Sequence, residues 1–176
     1  EGFPNKKNLI LIPNGFDDEI LTLPQLKRKK NKIVYFGRLE PHKNVEILIR
    51  TIAMIKQKYE EVELEILGAG SDFERLSDLV KNLQLQGFVK ITGKYLASVD
   101  AFKIMKASSV FVQPSLSEGG GSIAVFEALA CGLPTVIFKH PQGIDPLLIE
   151  NGLYGEIVEE ITPQALADSL EKMFIR

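Results

Sequence analysis

The amino-acid sequence predicts an α/β domain in which helices flank a parallel sheet. Short apolar runs alternate with longer segments whose apolar residues recur at helical spacing, and glycine or proline marks most of the boundaries. The chain has 176 residues, of which 45% are hydrophobic and 25% charged, enough for one substantial core. Open parallel sheets bind ligands at the carboxyl ends of their strands, so we expect functional residues in the loops after the strands.

The first half of the chain gives the clearest alternation. An apolar strand at 32–37 ends in glycine. A helix at about 44–59 follows, because apolar side chains recur at Val45, Leu48, Ile49, Ile52 and Ile55. Strands are then predicted at 64–67, 89–92 and 110–113, with helices near 73–83 and 99–105 between them.

The second half continues the same pattern. Ser122 can cap a helix that Gly132 and Pro134 close. Strands at 135–138 and 155–158 and a helix at about 163–174 complete the series. No internal repeat or low-complexity segment is evident, so one domain is the simplest organisation.

The segment after the strand at 110–113 carries the strongest functional signal. It combines a glycine loop with the start of a helix, which aims backbone N–H groups and the positive helix end at one point, as a phosphate requires. Glu118 and Glu127 flank that point, and carboxylates accept hydrogen bonds from sugar hydroxyls but repel phosphate. The pattern therefore favours a nucleoside diphosphate sugar, although an exposed loop acid and a solvated helix stripe would also explain the two glutamates.

Two cations follow the first strand. Arg38 and Lys43 lie in the turn between that strand and the next helix, where together they can neutralise a diphosphate. Either residue alone is more typical of surface charge. The pair becomes significant because it lies at the same sheet edge as the glycine loop.

Other motifs are weaker. Gly68-Ala69-Gly70 begins like a dinucleotide-binding fingerprint, but Phe73 stands where the third glycine belongs, so a tight turn explains it equally well. His42 and His140 are the only histidines and lie on different loops, so we expect no metal site and no cofactor. The single cysteine, Cys131, predicts no disulfide and a role in packing.

Charge and hydropathy exclude some partners. The net charge of −2 gives no general attraction for nucleic acid. The basic segment 26–32 is more typical of a solvated linker than of a membrane anchor, and no apolar run of about 18 residues is present. We therefore expect a cytoplasmic location, with a peripheral position at the inner membrane face left open. The chain begins without methionine, which suggests a piece of a longer protein.

Taken together, four motifs resemble those of the retaining family 4 glycosyltransferases, in their C-terminal, donor-binding half. They are Ile12-Pro13-Asn14-Gly15-Phe16-Asp17, Phe36-Gly37-Arg38 with Lys43-Asn44, Leu67-Gly68-Ala69-Gly70, and Glu118-Gly119 through Glu127-Ala128-Leu129-Ala130-Cys131-Gly132-Leu133-Pro134. The resemblance implies a Rossmann-like three-layer domain that forms one half of a GT-B fold. Residues 1–31 would be an N-terminal segment and connection from a missing half, and residues 32–176 the donor-binding domain.

The resemblance also implies roles for individual residues. Arg38 and Lys43 would bind the donor diphosphate, Glu118 would hold the donor sugar, and Glu127 would bind the ribose. No metal is implied. Eight residues separate the two glutamates, one more than the family usually has, which indicates an extra loop residue. Further donor contacts would come from Gly37, Gly68, Gly70, Val89, Lys90, Ile91, Gly119, Gly120, Gly121, Ser122 and Ile123, with 89–91 bordering the base.

The implied function is a hexosyltransferase domain of polysaccharide biosynthesis. It would bind a UDP-, GDP- or ADP-sugar for retaining transfer to a glycan or lipid-linked acceptor held by a missing N-terminal domain, and the isolated chain would be inactive. Two alternatives stay open at this point. One is a GT-B sugar-nucleotide epimerase, which needs its own acid and base residues, and the other is a non-catalytic module that binds nucleotide sugars.

Overall fold

The computed structural model describes residues 14–118, 121–150 and 152–175, without the side chain of Ile175. One parallel sheet forms the centre of the described chain, with the strand order β3-β2-β1-β4-β5-β6. The strands are β1 (Lys32–Phe36), β2 (Glu63–Leu67), β3 (Val89–Ile91), β4 (Val110–Gln113), β5 (Thr135–Phe138) and β6 (Gly155–Val158). The helices are α1 (Glu19–Thr22), α2 (Glu46–Ile55), α3 (Phe73–Asn82), α4 (Ser98–Lys106), α5 (Ile123–Ala130) and α6 (Pro163–Ile175).

The predicted α/β architecture is confirmed, and all six predicted strands are present to within one residue at each end. The second helix is shorter than predicted. A 3-10 turn at Pro41–Lys43 precedes it, and Asn44 then takes a left-handed conformation with φ of 53°, so α2 begins only at Glu46. The short helix α1 was not predicted, because its four residues lie in a polar connection and bury only Ile20.

The order of the strands determines where a ligand can bind. From β1 the chain adds β2 and β3 on one side of the sheet, and it then crosses to β4, β5 and β6 on the other side. The loops after β1 and β4 therefore leave the sheet in opposite directions. Such a reversal opens a crevice at the carboxyl ends of the two central strands, which is where open α/β sheets bind ligands.

Apolar side chains fill the space on both faces of the sheet. Helices α2, α3 and α6 cover one face, and α1, α4 and α5 cover the other. Ile20 of α1 is fully buried on the second face, so part of the segment before β1 belongs to the core. Burial of such a side chain contributes about 1.5–3 kcal/mol. The domain boundary at residue 31 stays a prediction.

The basic segment 26–32 is partly engaged inside the fold. The Arg28 guanidinium donates to the carbonyl of Gly132 over 2.6 Å, and Lys32 pairs with Glu65 over 2.7 Å. These contacts reduce the charge that the segment offers to an anionic surface. Across the described ranges, no helix combines the length and apolar character needed to cross a bilayer.

Candidate functional site

A crevice of about 450 Å³ lies between the carboxyl ends of β1 and β4. Residues from the β1–α2 loop, the end of β4, the loop that follows it and the first turns of α5 line the crevice, together with one residue that precedes α1. They are Asn14, Phe36, Gly37, Arg38, Lys43, Gln113, Glu118, Gly121, Ser122, Ile123, Ala124 and Glu127. The structure thus brings together eight site residues that the sequence predicts: Gly37, Arg38, Lys43, Glu118, Gly121, Ser122, Ile123 and Glu127.

A buried ion pair lies in the crevice. The Lys43 ammonium is 2.6 Å from Glu118 Oε1, and these two side chains are only 10% and 9% exposed. The 3-10 turn positions Lys43, while the N–H of Glu118 donates to the carbonyl of Gln142 over 2.8 Å. Breaking a buried pair by removing one partner typically costs about 3–5 kcal/mol, because the other charge stays buried. The pair therefore ties Glu118, in the loop after β4, to the β1–α2 loop.

Gln113 joins this pair to the start of α5. Its side-chain NH₂ donates to Glu118 Oε1 over 3.2 Å and to the Ser122 hydroxyl oxygen over 3.1 Å. Sequence reasoning treated Gln113 only as the end of a strand. One feature of the sequence could have identified Gln113 as a site residue. It is a polar residue that follows the apolar run 110–112, at the strand end where the sheet is expected to bind a ligand.

Ser122 stands at the start of α5, as the sequence predicts, but the expected capping bond from its side chain does not form. Ser122 occupies the N-cap position with extended backbone, but its hydroxyl makes no capping bond and instead accepts from Gln113. The Ser122 carbonyl accepts from the N–H groups of Val125 and Phe126, which are the first backbone bonds of the helix. This leaves the Ser122 hydroxyl in the crevice rather than on the helix end.

The amino end of α5 offers donors to an anion. Its first N–H groups, on Ile123 and Ala124, find no acceptor among the residues described, as is usual for the first turn of a helix. Both residues line the crevice, so the positive end of the helix dipole contributes there. The crevice thus has an end suited to phosphate oxygens.

Arg38 also lines the crevice. Its side chain is exposed, and within the described part of the chain its guanidinium has no hydrogen-bonding or ionic partner. The hydroxyl of buried Tyr35 donates to the carbonyl of Arg38 over 2.8 Å and thereby holds the turn. Burial, reinforced by the nearby Glu118 charge, raises the pKa of Tyr35 above its usual range, so this hydroxyl stays protonated and able to donate.

Glu127 lies one turn into α5 and lines the crevice. It is 9% exposed, and no described residue donates a hydrogen bond to its carboxyl group. Burial, with a smaller contribution from the Asp17 charge, raises the pKa of Glu127 to about 7. Hydroxyl groups of a ligand would supply the donors that this carboxylate lacks.

Gly68 and Gly70 lie beside the crevice rather than in its lining. A Cβ on Gly68 would be 1.9 Å from the Gly37 carbonyl oxygen, and a Cβ on Gly70 would be 2.2 Å from the Leu39 carbonyl oxygen. The Leu39 N–H donates to the Ala69 carbonyl in the same contact. Close approach of two backbones explains both glycines, and their role as donor contacts stays a prediction.

The remaining predicted contacts have different surroundings. Residues 89–91 form the edge strand β3, two strands away from β1, and Lys90 pairs there with Glu65 over 2.9 Å. Gly119 and Gly120 lie outside the described residues, as do Ile12 and Pro13 of the first motif. In the ranges that the structure describes, no group of three or more histidine, cysteine or acidic side chains is arranged to hold a metal ion.

Comparison with known proteins relates this geometry to a family. Residues 18–175 match the family described as glycosyl transferases group 1. An uncharacterized glycosyltransferase of Methanocaldococcus jannaschii is 28% identical over 98% of this chain and 45% of its own length. The UDP-N-acetylglucosamine–peptide N-acetylglucosaminyltransferase GtfA subunit of Streptococcus parasanguinis is 29% identical over 96% of this chain and 33% of its own length.

A solved structure shows the same fold. The crystal structure of a TarM variant from S. aureus, in complex with Fondaparinux, alpha-GlcNAc-glycerol and UDP, superposes with a TM-score of 0.78 at 21% identity. The match covers 96% of this chain and 32% of the TarM chain. The chain thus spans less than half the length of the relatives named here.

Proposed function

This chain belongs to the glycosyl transferases group 1 family and has the Rossmann-like fold of GT-B enzymes, and on that premise we propose that it binds a nucleoside diphosphate sugar donor. One observation carries the proposal. Two cations, the amino end of α5 and two carboxylates line a single crevice between the carboxyl ends of β1 and β4. That combination of charges suits a ligand that carries both phosphates and hydroxyl groups.

The diphosphate would occupy the end of the crevice near α5. Arg38 and Lys43 would neutralise it, and the N–H groups of Ile123 and Ala124 would bind its oxygens. A hydrogen bond to a charged group contributes about 1.5–3 kcal/mol, more than a helix end at about 0.3–1 kcal/mol. The two cations would therefore dominate the stabilisation of the departing diphosphate as the bond to the sugar breaks.

The two carboxylates would hold the hydroxyls on either side. Glu118 would bind the donor sugar, since its ion pair with Lys43 keeps it next to the phosphate end. Glu127 would bind the ribose, and the hydroxyl donors would favour its ionised form. An aligned sugar next to a stabilised leaving group is the arrangement that transfer requires.

The identity of the donor can be proposed from the relatives. The GtfA relative is named for UDP-N-acetylglucosamine, and the TarM structure is described with UDP. We propose a UDP-activated hexosamine or hexose, transferred with retention to a glycan or lipid-linked acceptor. The acceptor would bind to a part of the protein beyond these residues, so this chain alone would bind the donor without transferring it.

Calorimetric titration tests donor binding directly. The chain is titrated with UDP, GDP and ADP and with UDP-N-acetylglucosamine, UDP-glucose, GDP-mannose and ADP-glucose. We expect the uridine nucleotides to bind, and Arg38→Ala to weaken their binding about tenfold or more. Arg50→Ala, on the exposed side of α2, is the matched control and leaves affinity unchanged. Failure of every nucleotide to bind, or full affinity in Arg38→Ala, would contradict the proposal.

A further inference from the structure

Gln113 is a buried amide at the boundary between the core and the crevice. It is the last residue of β4 and is 2% exposed, in a strand whose other residues are apolar. A buried polar side chain is costly unless it is hydrogen-bonded, so its two contacts, with Glu118 and Ser122, matter. These contacts lie on opposite sides of the glycine loop, five and nine residues along the chain.

The chemistry of the neighbours determines how the amide is oriented. An ionised Glu118 only accepts hydrogen bonds, so the NH₂ group of Gln113 must face it and the amide oxygen must face away. The second hydrogen of that NH₂ group goes to the Ser122 oxygen. Because Ser122 accepts there, its own hydrogen is not used by Gln113 and can be donated into the crevice.

The surroundings of the Gln113 amide oxygen allow the two orientations of the side-chain amide to be compared. This oxygen is fully buried and finds no hydrogen-bond partner among the residues described. Rotating the amide by half a turn would let this oxygen accept from the Ser122 hydroxyl but would also place it against the Glu118 carboxylate, so the orientation with the NH₂ group toward Glu118 is favoured. The amide is therefore held by its NH₂ group alone, between Glu118 and Ser122.

We propose that Gln113 is a positioning residue that fixes Glu118 and the Ser122 hydroxyl in one arrangement. This inference rests on the proposed function and adds a residue to the donor site. Glu118 and Ser122 lie five and nine residues after the end of β4, and Gln113 holds both of them to that strand through two hydrogen bonds. This restraint couples recognition of the sugar to recognition of the phosphates.

The test uses Gln113→Met, which keeps the side-chain length and removes the amide. Dissociation constants are measured for UDP and for UDP-N-acetylglucosamine, together with thermal unfolding. We expect binding of UDP-N-acetylglucosamine to weaken about tenfold, and the ratio of the two constants to change at least threefold because Glu118 is no longer fixed. Gln164→Met, the same substitution at an exposed position of α6, leaves both dissociation constants unchanged.

A double-mutant cycle separates positioning from a general loss of structure. Glu118→Gln is combined with Gln113→Met, and we expect the Glu118 substitution to weaken binding less in the variant than in the parent chain. Independent, multiplicative effects would overturn the proposal. If Gln113→Met does not fold, Ser122→Ala serves instead, because it removes one of the two contacts of Gln113. If the ratio of the dissociation constants for UDP and UDP-N-acetylglucosamine in Ser122→Ala equals that of the parent chain, the proposal is overturned.

The outcomes distinguish this inference from the function on which it rests. If the parent chain binds none of the probes, the donor-binding proposal and the positioning role both fail. If the parent binds and Gln113→Met binds as tightly with the same ratio, only the positioning role fails. A weakened variant with a changed ratio and a reduced effect of Glu118→Gln supports the coupling.

Discussion

Two glycine-containing turns link a strand to a helix in this molecule, and their glycines serve different purposes. At the turn after β2, a Cβ on Gly68 would be 1.9 Å from a backbone oxygen of the β1 loop. At the turn after β4, the described atoms nearest to a Cβ on Gly121 would be two side-chain atoms at 3.8 and 3.9 Å. The first turn needs glycine for packing inside the protein, whereas the second leaves room beside a crevice.

The hydrogen bonding around the two turns also differs. The turn after β2 is tied to the β1 loop by main-chain hydrogen bonds. The crevice beside the second turn keeps groups without a described partner, including the Arg38 guanidinium and the Glu127 carboxyl group. Glycine-rich turns of similar sequence can thus serve stability or ligand approach, and the neighbouring backbone determines which.

The largest expected effect tests the packing turn. Gly68→Ala forces the β1 and β2 loops apart, because the added methyl group would overlap the Gly37 carbonyl oxygen. We expect a loss of about 3 kcal/mol in the free energy of unfolding, at the upper end for overpacking, measured by urea denaturation. Gly87→Ala is the control, since nothing lies within 4 Å of its added methyl group. Equal stability of the two variants would remove the distinction between the turns.

An intermediate effect concerns the cost of keeping Glu127 in the crevice. Its folded-state pKa of about 7 lies above the unfolded value near 4.5, so the folded chain holds a proton that the unfolded chain has lost between these pH values. Stability therefore falls as pH rises from 4.5 to 7, because only the unfolded chain releases this proton over that range. Glu127→Gln removes this dependence, so its stability relative to the parent chain should improve between pH 4.5 and pH 8.

Urea denaturation at pH 4.5 and pH 8 measures this difference. Glu74→Gln, the same substitution on the exposed side of α3, reports the general effect of removing a carboxylate. A stability difference between Glu127→Gln and the parent that is equal at both pH values would show that the crevice imposes no such cost. The difference between the turns after β2 and β4 would then be supported only by the surroundings of Gly68 and Gly121.

The smallest expected effect tests the crevice turn. Gly121→Ala adds a methyl group at ordinary contact distance, so the free energy of unfolding should change by less than about 1 kcal/mol. We expect UDP to bind a few-fold more weakly, because the methyl group points to the lining of the crevice. Calorimetry and urea denaturation on the same variant give both numbers. Lost stability with unchanged binding would assign Gly121 to packing, like Gly68.

The sequence predicts most of the fold because periodic apolar runs determine it. β4, β5 and β6 have the predicted bounds. The errors arise where local chemistry competes with periodicity. Left-handed Asn44 delays the start of α2, and a single buried residue, Ile20, gives too little pattern to predict α1.

The site is only partly predictable, because its contacts depend on tertiary structure. Parallel topology gathers Arg38, Lys43 and the two glutamates without any knowledge of side-chain positions. The ion pair joins Lys43 to Glu118, which are 75 positions apart. Gln113 bonds to residues 5 and 9 positions further along the chain. No motif specifies any of these contacts. For the same reason, a motif alone could not show that Gly68 faces another loop instead of the crevice.

The loops around the crevice are joined by main-chain hydrogen bonds. The Leu116 N–H donates to the His42 carbonyl, and the Glu118 N–H donates to the Gln142 carbonyl, which links the loops after β1, β4 and β5. Bonds between peptide groups survive most changes of side chain. Mutation can therefore alter the residues that face a ligand while the loops keep their relative positions, and the preference for a ligand can evolve without a new scaffold.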